Sequence, residues 1–290
     1  MGPLLLAVPN VSLGEGVEAL RGAWAPARLL DVHADADHGR SVFTLAAHQS
    51  DVPDALLGGA RAALERVDLR AHAGLHPHVG ALDVAPVVAL APEDEGPAAA
   101  AALTAAALLG EDVGLPVFLY GALATAPERE ERAFFRSGGP VRLAERMSTG
   151  ELRPDFGPPR AHATAGAVLV TARPPLLAFN LDLAANDLAL ARAIAADLRE
   201  GGGGLPGVRA IGLRLAHRGR AQVSVNVHDH RRVPLRDVVA FVRARAEIAE
   251  AELVGLAPAA ALDGFPEDVA LRGFDRRRHV IEEALGSVAP

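Results

Sequence analysis

The chain has 290 residues, half of them hydrophobic, a formal net charge of −7 and no cysteine. That much apolar material can bury the core of one large domain or of two ordinary ones, while the missing thiols exclude disulfides, thiolate nucleophiles and cysteine-held metals. All 29 basic residues are arginine, so Schiff-base chemistry, a lysine base and a Walker-type phosphate loop are excluded as well.

Taken in order, residues 4–8 read as an apolar strand, too broken by prolines and too poor in basic residues for a signal peptide. Residues 14–23 have a helical pattern, 28–32 and 41–46 read as strands, and 52–67 carry apolar residues at helical spacing. Residues 81–90 form the next strand, 93–109 a helix and 117–120 a strand, followed by charged helical material over 128–147. The alanine-rich tract 96–110 is shorter than the roughly 20 residues of a membrane span, so neither a membrane nor, given the acidic charge, nucleic acid is an expected partner, and a cytoplasmic location is expected.

A break falls at Pro174-Pro175. Beyond it, 176–183 read as a strand, 186–200 as an amphipathic helix stopped by Gly201 to Gly204, 208–215 and 222–228 as strands, 234–250 as a long helix and 252–256 as a last strand. Both halves follow the order βαββαβ. The expected fold is therefore α/β (α+β): two tandem ferredoxin-like subdomains, 1–175 and 176–290, with a cleft between them as a ligand site.

Three histidines stand in the loop entering the strand at 81: His72, His76 and His78, with Pro77 beside His76 and with Gly74 and Gly80 to permit turns. Loops that present titratable groups on a rigid scaffold are where chemistry concentrates, and imidazole both takes and returns a proton near neutrality. The stretch His76-Pro77-His78-Val79-Gly80-Ala81-Leu82-Asp83-Val84 resembles the active-site segment of the glutamate formiminotransferase family, the transferase part of formiminotransferase-cyclodeaminase. Val8-Pro9-Asn10 with Gly14, Pro116 to Gly121, Pro154 to Pro158 with Gly166-Ala167, Leu177 to Asn180, and Ala221 to Ser224 with Asn226 match in the same order. The resemblance implies transfer of a formimino group from N-formimino-L-glutamate to N5 of tetrahydrofolate as co-substrate, with no metal, His76 as catalytic base and no cyclodeaminase part. The partners it implies are small molecules, with a homodimer left open.

Asp31, His33 and Asp35 alternate after a strand and would share one face, as a pocket for a cationic amidine or as a polar hairpin; Asp37 and His38 read as hairpin turn. Arg40 matches a family arginine and would bind substrate, whereas His33 stands where the family has aspartate. The family's pterin-side loop maps onto Asp155, Phe156, Gly157, Pro158, His162, Thr164 and Gly166, with Ala165 in place of the usual aromatic. Two other readings stay open: a metal-dependent hydrolase built on His33, Asp35, His76 and His78, and a folate-binding relative without turnover. Gly201 to Gly204 follow a helix instead of opening one and read as a flexible cap and linker. His228 to Arg232 read as a solvated turn, and Arg276 to His279 as the charged end of a helix.

Overall fold

Pro9 interrupts the first strand without ending it. In the computed structural model, which describes residues 2–286, β1 (Leu4–Ala7) and β2 (Asn10–Val11) pair with β4 (Arg40–His48) in one antiparallel register, from Leu4 opposite His48 to Val11 opposite Ser41. The proline has no N–H for the ladder, yet its carbonyl still accepts from the Phe43 amide at 3.0 Å. The chain divides into two units, one through Pro174 and one from Pro175.

In the first unit β3 (Arg28–Asp35) flanks β4, and β5 (Leu82–Val88) lies on the other side of β1 and β2. The order β3, β4, β1/β2, β5, with every neighbour antiparallel, is the ferredoxin-like arrangement. Two further strands extend it: β7 (Val168–Arg173) runs parallel to β5, and β6 (Val117–Leu119) parallel to β7. Residues 168–173 carry no element in the sequence reading, although Val-Leu-Val-Thr is a strand-forming run. Every residue of β5 is buried, as expected of a strand with neighbours on both edges and cover on both faces.

Alternation sorts the two faces. Val117, Leu119, Val168 and Val170 join the core under α1 (Val52–Leu64) and α2 (Glu95–Glu111), whereas Phe118, Tyr120 and Leu169 pack with α3 (Arg132–Arg136) and α4 (Gly139–Ser148). The charged helix expected over 128–147 is split because Gly138 and Gly139 both adopt positive φ, at 79° and 71°. The segment expected as a first helix is a 3-10 helix, Val17–Trp24. Its last residue, Trp24, is fully buried against Gly59 of α1, where a Cβ would stand 1.9 Å from the indole.

The second unit is a four-stranded antiparallel sheet in the order β11 (Ile248–Val254), β8 (Leu177–Leu183), β10 (Arg220–Val227), β9 (Val208–Leu215). This is again the ferredoxin-like order. Leu177, Phe179, Leu181 and Leu183 face α5 (Leu188–Leu198) and α6 (Leu235–Arg243). The opposite face holds buried Asn180, Asp182, Gln222 and Glu252, tied together by Arg272 through Asp182 at 3.2 Å and Glu252 at 2.5 Å. The helix expected to run to 250 ends at Arg243, because residues 248–250 are taken into the ladder with β8; an Ala-Glu-Ile-Ala-Glu run satisfies helical and extended patterns alike, and the sheet decides. Gly201 to Gly204 are not a loose linker. A Cβ on Gly202 or Gly204 would meet backbone oxygens of α5 at 1.9 and 2.2 Å, so only glycine lets the chain turn this closely under the helix.

Two short helices, α7 (Arg276–His279) and α8 (Ile281–Gly286), close the described chain.

Candidate active site

The site starts from a hairpin. Asp35 caps the turn between β3 and β4 by accepting from the His38 amide at 2.9 Å, and Gly39 takes φ 62°, which a side chain would resist. The histidine loop lies against this tip, backbone on backbone: the amides of Leu75 and His76 donate to the carbonyls of Asp37 (3.2 Å) and His38 (3.3 Å). Gly39 and Gly74 permit that approach, since a Cβ on either would come within 2.5 Å of the other segment.

His76 is thereby set beside Arg40, the first residue of β4. Nη1 of Arg40 lies 2.7 Å from Nδ1 of His76 and donates to Asp83 Oδ2 at 3.0 Å, while its Nε donates to Asn10 Oδ1 at 2.8 Å. Asp83 is wholly buried. Its Oδ1 accepts from the Val79 amide at 2.7 Å, and its Oδ2 also receives Nη2 of Arg136 from α3. One carboxylate thus fixes the strand entry and two guanidiniums together. Nδ1 of His76 also lies 2.8 Å from the Pro77 carbonyl.

Position along the strands explains which groups meet. Asp35 stands opposite Arg40, His33 opposite Val42, Asp31 opposite Thr44, and Asn10 also opposite Val42. These residues share one face, while Val32 and Phe43 turn to the core under α1. Asp31 and Asp35 are buried and His33 is half-buried.

Electrostatics here is dominated by burial and by arginine. Burial, then Arg40, Arg136 and His38, hold the His76 imidazole well below its ordinary 6.5, against the Pro77 carbonyl. The ring is therefore neutral at pH 7. Burial lowers Arg40 to about 9 despite Asp83. Asp83 is itself lowered: burial works to raise it, and Arg136, Arg40 and the Val79 amide outweigh that cost. His72 is lowered by burial and by His78, whose ring is 4.4 Å away.

The segment at 155–166 is knit into the scaffold. Asp155 accepts from the Leu119 amide at 2.8 Å, from Thr125 at 3.0 Å and from Arg129 at 3.0 Å, and Phe156 bridges to Val117. Gly157 has φ 79° with Leu115 O where a Cβ would go, and Pro158 beside it is half-buried. Nδ1 of His162 accepts from the Ala165 amide at 3.1 Å and lies 3.4 Å from that of Thr164, whose carbonyl accepts from Leu69 at 2.8 Å. Gly166 and Ala165 are stitched to residues 79–81, so this turn abuts the His76 to Asp83 segment. Ala165 is buried, with its side chain in the core.

Among the described residues no three histidine, aspartate or glutamate side chains are placed to share a metal ion; His33, Asp35, His76 and His78 do not form one cluster. The sequence does not single out Asn10, Arg132, Arg136 and Arg173 as site residues, nor Asp83 as the partner of two arginines. The i, i+4 spacing of Arg132 and Arg136 was the available signal.

Family models for the formiminotransferase domain match the chain, the N-terminal subdomain over residues 4–173 and the formiminotransferase domain over 178–264. The chain is 33% identical over 297 residues to the glutamate formimidoyltransferase of Streptococcus pyogenes serotype M1, covering 98% of this chain and 99% of that one. It is 34% identical over 300 residues to the glutamate formimidoyltransferase of Thermoplasma acidophilum, covering 99% and 98%. With the formimidoyltransferase-cyclodeaminase of Sus scrofa the identity is 35% over 315 residues, spanning all of this chain and 58% of that protein.

Proposed function

The chain belongs to the formiminotransferase family and is a transferase, and on that premise we propose that it moves the formimino group of N-formimino-L-glutamate to N5 of tetrahydrofolate, with His76 as the proton-transfer group. The observation that carries the residue assignment is the setting of His76: its amide is held by the His38 carbonyl of the hairpin, and its neutral, half-buried imidazole stands between Arg40 and the Pro77 carbonyl.

In this reading N5 attacks the amidine carbon and forms a tetrahedral adduct. The proton leaving N5 passes to the imidazole of His76. The carbon–nitrogen bond to glutamate then breaks, and the same proton goes to the departing nitrogen. Arg40 and Arg136 disfavour the intermediate imidazolium, so the proton is returned readily. Arg40 already serves Asp83, Asn10 and His76, which suits it to orienting the base better than to holding substrate. Asp31, buried on the face shared with Arg40, is the candidate partner for the amidinium. The turn at 162–166, adjoining residues 79–81, is the candidate wall for the pterin. Orientation of donor and acceptor supplies much of the rate.

The test is to mix the protein with formiminoglutamate and tetrahydrofolate and follow glutamate release and 5-formiminotetrahydrofolate. Multiple turnovers that vanish in a folded His76→Ala variant support the reading. An inactive wild type sinks it.

A further inference from the structure

We propose that Arg132, Arg136 and Arg173, with Tyr120, form a receptor for the two carboxylates of a glutamyl group in the first unit, beside the His76 network. The proposal rests on the transferase reading for its ligand, since donor and acceptor of that reaction both carry a glutamyl dicarboxylate, but its geometry stands apart from it.

The cluster is assembled from two elements of one sheet face. Arg132 and Arg136 lie one turn apart on α3, the spacing that brings side chains together and at which like charges repel. Tyr120, which follows β6, and Arg173, which ends β7, are brought alongside by the parallel pairing of these strands, and by alternation both point to the face that α3 covers. Arg173 and Arg132 are in electrostatic range of each other and of Tyr120, and Arg132 of Arg136 and Asp83.

Charge does not balance within this group. Arg40, Arg132, Arg136 and Arg173 supply four positive charges. Asp83, the carboxylate inside the cluster, is already shared by Arg40 and Arg136. Counting exposed Glu131 as a second anion, two positive charges remain, the complement of two carboxylates.

Hydrogen bonding leaves the same deficit. The Arg136 side chain is 10% exposed, yet its buried Nε has no partner, an expensive arrangement for a charged donor unless an acceptor arrives. Arg132 makes no hydrogen bond or ion pair among the described residues, and Arg173 reaches only the Pro174 carbonyl, at 2.9 Å. Burial lowers the pKa of Arg132, and that of Arg173 to about 10, and neither side chain makes an ion pair among the described residues. A protein of net charge −7 that gathers four guanidiniums around one carboxylate has built a place for an acid.

The experiment titrates the full chain calorimetrically with glutarate, L-glutamate and L-glutamine, for wild type, Arg132→Gln and Arg173→Gln, each checked for fold by circular dichroism. Glutarate and glutamate should bind, glutamine about 10- to 100-fold more weakly, and either variant should lose about that factor for the dicarboxylates. Steady-state kinetics then separates the sources. A raised KM for formiminoglutamate assigns the donor; a raised KM for tetrahydrofolate, with tetrahydropteroate unaffected, assigns the acceptor's tail. Absence of dicarboxylate binding, no preference over glutamine, or folded variants that bind and turn over as wild type would overturn the receptor. Variant-sensitive binding in a protein with no transferase activity would instead defeat the reaction assignment and leave the receptor standing.

Discussion

Arg40 donates to the carboxylate of Asp83 at 3.0 Å while the same Nη1 stands 2.7 Å from Nδ1 of His76. The imidazole therefore titrates beside a cation that is itself held in place, and its basicity depends on how much of that charge other groups neutralise.

The ring should remain neutral well below pH 6.5 in the free protein. Nuclear magnetic resonance of the His76 ring should show Arg40→Met raising its pKa, and saturating glutarate raising it too if the arginine cluster takes dicarboxylates. The stability consequence has a definite sign. Above pH 6.5 neither state binds the proton; below it the unfolded ring takes one that the folded ring refuses, so stability falls with decreasing pH. His76→Gln should flatten that slope in urea titrations between pH 6.5 and the folded value.

Removing the shared carboxylate should be costly. Asp83→Asn leaves Arg40 and Arg136 without their common counter-ion and weakens the acceptor of the Val79 amide. About 3–5 kcal/mol of stability should be lost, visible as a lowered urea midpoint. A change below about 1 kcal/mol would mean that the two arginines find other anions.

Gly74→Ala tests placement against folding. Its Cβ would meet the His38 carbonyl at 2.5 Å and push the histidine loop off the hairpin. A misplacement of about 1 Å in a catalytic group can cost on the order of 100-fold in rate, so kcat should fall far more than the melting midpoint.

In the second unit, Arg272 bridges Asp182, Glu250 and Glu252. Arg272→Met should destabilise by about 3–5 kcal/mol at neutral pH. The loss is read as a lowered midpoint in thermal and urea melts at pH 7.

The sheet pattern was legible where alternation is strict, as in β8, or where burial is continuous, as in β5. His76 stands out in the sequence through its Pro-Gly setting and the family motif around it, whereas its contacts with Arg40 and the hairpin come from the fold alone. β7 is marked in the sequence only by its β-branched residues, and the start of β11 is indistinct from the preceding helix because Ala-Glu repeats serve both periods. Of the arginine cluster, the i, i+4 spacing of Arg132 and Arg136 is all that the sequence displays; Arg173 joins them only through the pairing of β6 with β7.

The amide of His76 hangs from the carbonyl of His38, with two glycines touching beneath. An engineer who transplanted residues 69–83 into another scaffold would move the imidazole without its anchor. The Asp35 to Arg40 hairpin would have to travel with it, and loop-length changes on either side would have to be made in concert.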